Sequence, residues 1–186
     1  MTKRMIKDKG HFHPYHDISV GKNAPSVVNA VVEIPKDSKI KYEVDKETGM
    51  LRMDRFMYSA VLYPGDYGFI PQTLAHDDDP LDVFIFTSAP CHPLTLCEVR
   101  VIGAIHMTDS NERDDKILAV HVGDPRYAEW ESIRDVPGHY LKELKHFLET
   151  YKELQHKKTK VYKIQGVKAA YSIINQSLQR YQRSRN

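Results

Sequence analysis

The sequence predicts an α+β fold with a mainly β core: a small, closed or nearly closed barrel of short strands, with helices gathered at the C-terminal end. Three observations carry this. Short β-branched runs recur between Val27 and Val122, separated by turn residues. Helical periodicity appears only after the Pro137-Gly138 breaker. The 186 residues, 41% hydrophobic and 28% charged, suit one core of ordinary size, so a single domain over residues 1–186 is expected.

In chain order, residues 1–25 are polar, His-rich and without clear period, and read as an N-terminal arm; nothing around His11, His13 and His16 assigns them a role. Val27 to Ile34 is β-branched between Pro25 and Pro35, the profile of a buried strand. Ile40 to Val44 alternates apolar and polar, a turn ends at Gly49, and Met50 to Arg55 returns as the hairpin partner. Further strands are expected at Leu81 to Phe86, Cys97 to His106 and Ile117 to Val122. One helix starts near Tyr140, with Leu141, Leu144, Phe147, Leu148 and Tyr151 on one face. A second runs from Gly166, and Thr159 to Ile164 between them reads as a short edge strand.

Composition excludes several functions. No apolar run approaches the roughly 20 residues that span a bilayer, and the basic start is not followed by a signal-like apolar stretch. A net charge of +2 is too small to argue for nucleic acid as a partner by itself, which leaves room for a local basic site. Cys91 and Cys97 read as free thiols of a reducing cytoplasm.

The chemistry concentrates at Asp77-Asp78-Asp79-Pro80-Leu81-Asp82, which runs straight into the apolar strand Val83-Phe84-Ile85-Phe86. Like charges a few ångströms apart repel by roughly 4 kcal/mol at an effective dielectric of 20, so divalent cations would relieve the cluster. Oxygen donors without His or Cys favour Mg²⁺, Mn²⁺ or Ca²⁺. An EF-hand is excluded, because Asp82 and Ser88 stand where that loop needs Gly and Glu. A second acidic loop, Asp109 to Asp115, lies between two expected strands and suggests a shared metal centre.

Lys41, Arg55, Tyr63, Tyr67, Lys116, Tyr151 and Lys152 sit at positions that a barrel can aim inward. Each has an ordinary reading too: Lys41 and Glu43 as an exposed ion pair, Arg55 as a rim residue, Tyr63 to Gly68 as an aromatic turn, Tyr151 as core. Carboxylates and cations mixed in one site are electrically odd unless metals and an anion both belong there, and phosphate meets both needs.

These segments together resemble the family I soluble inorganic pyrophosphatases. Asp77 to Val83 matches the family's D-x-D-P-x-D-V signature. Glu33-Ile34-Pro35, Lys41 to Lys46, Asp54 to Met57, Tyr63 to Gly68, Met107 to Asp109, Asp114 to Lys116 and His146 to Lys152 follow the family's order and nearly its spacing. The likeness covers roughly residues 27 to 166; Val161 and Val167 depart from it where many bacterial relatives carry tryptophan.

The resemblance implies a five-stranded OB-like barrel with flanking C-terminal helices and hydrolysis of inorganic pyrophosphate to two orthophosphates. It implies several Mg²⁺ ions per site, with Mn²⁺ or Zn²⁺ as substitutes. Asp77, Asp82 and Asp114 would ligate the activating ions, and Asp109 and Glu33 the outer ones. Asp79 would be the general base, with Tyr67 ordering it and Tyr63 behind. Lys41, Arg55, Lys116, Tyr151 and Lys152 would bind phosphate, Arg55 and Lys152 at the leaving group, and Glu43 would tether Lys41 or water-mediated metal contacts. A cytoplasmic homohexamer is also implied. The competing reading is an OB-like module that binds single-stranded nucleic acid or oligosaccharide without chemistry.

Overall fold

The computed structural model describes residues 12–185. In chain order the elements are helix α1 (Pro14–Asp17), strands β1 (Val27–Ile34), β2 (Ile40–Val44), β3 (Leu51–Phe56), β4 (Asp66–Ile70), β5 (Leu81–Phe86), β6 (Leu96–Asp109), β7 (Glu112–Arg113) and β8 (Lys116–His121), helix α2 (Gly138–Thr150), strand β9 (Thr159–Gly166) and helix α3 (Val167–Ser184).

Five strands close a barrel in the order β1-β4-β5-β8-β6, with β6 pairing back onto β1. Only β5 and β8 run parallel among these pairs. Beyond the barrel, β6 carries β7 and β9, and β2 and β3 form a separate hairpin. A bulge in that hairpin pairs Lys41 with Arg55 and Tyr42 with Met53, leaving Asp54 as the extra residue.

Period-two alternation divides the core. On β5, Val83 and Ile85 pack with Ala170 and Ile174 of α3, whereas Phe84 and Phe86 join Leu144, Phe147 and Leu148 of α2. Ile117 and Ala119 against Leu118 and Val120 repeat the division on β8. Strands buried on both faces need apolar side chains throughout, which is why these runs read as continuous hydrophobic stretches.

Two local expectations are corrected. Residues read as an aromatic turn include β4, because Gly65, Asp66 and Gly68 carry the composition of a turn. Gly68 serves a close approach instead: a Cβ there would lie 1.9 Å from the Val31 carbonyl oxygen on β1. The expected arm is docked from His13 onward, while His11 and everything before it lie outside the described residues. His13 caps α1, its imidazole accepting from the Tyr15 backbone N–H at 3.2 Å. The Tyr15 hydroxyl donates to the Val44 carbonyl at 2.8 Å, and its ring meets Phe69 edge-on at 4.4 Å. His16 reaches Tyr181 of α3 at 2.8 Å. Amphipathic aromatic side chains pin this segment without a hydrophobic run to announce it.

Candidate active site

The first acidic loop is shaped by its own backbone. Asp78 takes a left-handed φ of 62°, which Asp tolerates, and the Asp77 side chain accepts from the Asp79 N–H at 3.2 Å. The Asp79 carbonyl accepts from Ala75 at 2.7 Å, closing the loop before Asp82 enters β5. In the second loop, Ser110 and Asn111 have φ of 51° and 74° and fold β7 back onto β6. Strand alternation then separates neighbouring acids. Asp114 faces the first loop beside Lys116, while buried Asp115 turns away to His106 at 2.6 Å and to Arg113.

The two loops meet in a cleft of about 620 Å³. Asp77, Asp79, Asp82, Asp109, Asp114, Glu33, Glu43, Lys41, Lys116, Lys152, Tyr63, Tyr67 and Tyr151 all line it. Arg55 does not: its guanidinium donates to Asp54 at 2.6 Å, and its Nε is buried without a partner. Asp54, the bulge residue, also holds Lys41 at 3.3 Å, and Lys41 pairs with Glu43.

Lys116 is 2% exposed and donates to Asp82 at 2.7 Å and to Asp114 at 2.8 Å. Burial works against its charge, but those two carboxylates outweigh it and hold its pKa well above the ordinary lysine value. Lys152 donates to Asp109. Burial lowers the Lys152 pKa despite that partner, and burial of Asp109 is more than offset by Lys152, so the Asp109 carboxyl lies below its usual range. Exposed Lys46, from the turn after β2, pairs with Asp79.

Glu33 shows the opposite imbalance. It is 6% exposed and accepts from the Val44 N–H at 2.6 Å, yet burial pushes its pKa up to about 8. Burial raises Asp77 as well, with Asp82 and Asp114 adding to it. The Tyr67 hydroxyl donates to Asp82, not to Asp79 as the sequence suggested. Tyr63, Tyr67, Phe147 and Tyr151 form an aromatic wall, with ring centroids 4.9 to 5.7 Å apart between neighbours. Burial raises the pKa of all three phenols, so they remain proton-bearing donors.

Sequence reasoning passed over Lys46, Arg52 and Tyr15, which also line the cleft. Lys46 closes the Lys41 to Lys46 segment that resembles the family, and that membership is the signal that could have found it.

The arrangement brings acid-rich and cation-rich walls together and suits a polyanion accompanied by hard metal ions. The sequence model of the family described as inorganic pyrophosphatase matches residues 30–182. Soluble inorganic pyrophosphatase 2 of Chlamydomonas reinhardtii is 45% identical over 170 residues, covering 91% of this chain and 88% of its own. The crystal structure of inorganic pyrophosphatase from Thermus thermophilus superposes with a TM-score of 0.86 at 41% identity, covering 89% of this chain and 97% of that one. The Helicobacter pylori inorganic pyrophosphatase structure gives 0.85 at 35% identity, with 89% and 98% covered.

Proposed function

This chain belongs to the inorganic pyrophosphatase family and is an inorganic diphosphatase, and we propose that it hydrolyses pyrophosphate with Mg²⁺, Asp79 taking the proton of the attacking water. The carrying observation is the pairing of Lys116 with Asp82 and Asp114, and of Lys152 with Asp109, inside one cleft. Ammonium groups already sit on these acids, while burial pushes up Glu33 despite the pull of Lys41, and pushes up Asp77 as well. An all-oxygen donor set short of cations fits Mg²⁺, with Mn²⁺ or Zn²⁺ as substitutes.

In this reading Asp77, Asp82 and Asp114 hold the activating ions, and Asp109 and Glu33 hold ions that accompany the substrate. Bound Mg²⁺ lowers the pKa of water and offsets phosphate charge. Asp79 accepts the water's proton once Lys46 has swung away, which costs little because exposed ion pairs are worth about 0–1 kcal/mol. Tyr67 positions Asp82 by its hydroxyl bond, with Tyr63 packed behind it. Lys41, Lys116 and Tyr151 bind phosphate oxygens, and Glu43 tethers Lys41. Lys152 and Arg55 serve the leaving group, Arg55 turning from Asp54 so that its unpartnered Nε gains an oxygen.

We take the chain as one domain, and assembly into a cytoplasmic homohexamer belongs to the same reading. No helix among the described residues is long and apolar enough to cross a membrane.

Phosphate release from pyrophosphate, with and without Mg²⁺ and beside ATP and a phosphate monoester, tests the activity. Asp79→Asn tests the base: kcat should fall roughly 10²–10⁴ and keep rising toward alkaline pH where the parent has levelled off. Parental kcat with an unchanged pH profile would remove Asp79 from the mechanism. Ca²⁺, larger and looser in coordination, should inhibit; turnover with Ca²⁺ equal to that with Mg²⁺ would defeat the metal assignment.

A further inference from the structure

We propose that Cys91, Cys97 and His121 form a second metal site, for a thiophilic divalent cation of the Zn²⁺ class, with Asp66 as the fourth donor. Three loops and strand ends supply it. Asp66 opens β4, Cys91 follows β5, Cys97 is the second residue of β6, and His121 closes β8. On those last three elements the cleft acids and Lys116 occupy the other end, so Cys91, Cys97 and His121 are separated from those acids by about the length of β8, roughly 16 Å at 3.3 Å per residue.

The spacing is that of a ligand set. The ligand atoms of Cys91, Cys97 and His121 all lie within 4.8 Å of one another, the one such group of three His, Cys, Asp or Glu side chains among the described residues. Cys91 Sγ is 3.7 Å from His121 Nε2, and Asp66 Oδ2 is 3.4 Å from the same nitrogen. Tetrahedral zinc with ordinary bond lengths places sulfur about 3.5 Å from nitrogen, and oxygen about 3.3 Å from it. Both edges are nearly at their final length without a metal.

The electrostatics agree. Asp66 is fully buried, and among the described residues its one cationic partner is His121. The hydrogen bond to Asp66 leads in pushing the His121 pKa up to about 9, while burial and then Asp66 push the Cys91 thiol up to about 12. Besides the backbone N–H groups of Lys36 and Cys91, Asp66 has His121 as its cationic partner among the described residues. Two thiolates, a neutral imidazole and one carboxylate supply a donor set that prefers a soft or borderline ion to Mg²⁺. Cys91 and His121 are each partly exposed, which leaves an entry path.

The test uses the full chain under a phosphine reductant with Mg²⁺ in excess, so that hard sites are filled. Titrated Co²⁺ should give one equivalent of thiolate-to-cobalt charge-transfer absorption per chain, displaced by Zn²⁺. Cys91→Ser and Cys97→Ser together should abolish that absorption, and His121→Asn should weaken Co²⁺ binding at least tenfold. Should a variant fail to fold, alkylation of the parent decides: Zn²⁺ should slow labelling of both cysteines at least tenfold. Absence of the charge-transfer band, an undiminished band in the double variant, or labelling unchanged by Zn²⁺ would overturn the proposal.

Discussion

Asp66 and Asp82 lie on neighbouring paired strands of the barrel wall, Asp66 on β4 opposite Ile85 and Asp82 on β5 opposite Phe69, yet they are held in opposite ways. Asp66 is clamped by the main chain: its oxygens accept from the Lys36 N–H at 2.8 Å and from the Cys91 N–H at 3.1 Å. Asp82 is held by side chains, the Lys116 ammonium and the Tyr67 hydroxyl. A carboxylate tied to backbone fixes loop positions and cannot release its partners without unfolding them. One tied to a lysine can exchange that cation for a metal or share it with a phosphate. The catalytic cleft uses the carboxylate whose partner is replaceable, whereas Asp66 could only add an ion to amide partners that it keeps.

The largest break in this comparison comes from pH. Glu33 has a folded pKa of about 8 against 4.5 in the unfolded chain, so the folded state binds more protons between those values. Stability of the metal-free protein therefore falls as pH rises through that window, by on the order of 4–5 kcal/mol from this group at full ionisation. Denaturant midpoints in chelator should show the fall shrinking in Glu33→Gln relative to the parent, and an identical pH slope in both would contradict it.

Next, Lys116→Met takes the ammonium from two partly exposed carboxylates and, through two lost charge-assisted hydrogen bonds, should cost about 2–4 kcal/mol without metal. Added Mg²⁺ should restore more of that midpoint than it adds to the parent; no differential recovery would mean the lysine is not standing in for a cation. Asp66→Ala, by contrast, should cost about 2–3 kcal/mol through orphaned N–H groups while kcat per folded molecule stays parental. Loss of kcat in the folded fraction would erase the division between the two acids. Smallest, Arg55→Lys keeps charge but loses the planar fork, and should lower kcat about tenfold. Steady-state kinetics indistinguishable from the parent would return Arg55 to a rim residue held by Asp54.

Legibility in the sequence followed the same division. Val27 to Ile34, Ile40 to Val44 and Leu81 to Phe86 were readable to their boundaries because branched residues ended at proline, glycine or acidic turns. The cleft acids were readable because repulsion makes such clusters costly without cations. β4 was not, since the close approach at Gly68 depends on where β1 lies, which only the fold decides. Tyr67 choosing Asp82 over Asp79, Arg55 turning to Asp54, and Lys46 meeting Asp79 are contacts between elements that no local pattern encodes. Cys91, Cys97 and His121 are likewise scattered in sequence and meet only through strand register, which pairs Ala30 with Cys97 and Val99 with His121.

The barrel closes where β1 meets β6, joining Val27 to Arg100 and Val31 to Leu96, residues roughly seventy apart in the chain. Loop entropy must be overcome before that seam returns anything, so it forms late in folding. The cleft draws on residues from Tyr15 to Lys152, on both sides of that seam. A growing chain therefore stays inert through most of its synthesis, and catalytic competence arrives as a single late event.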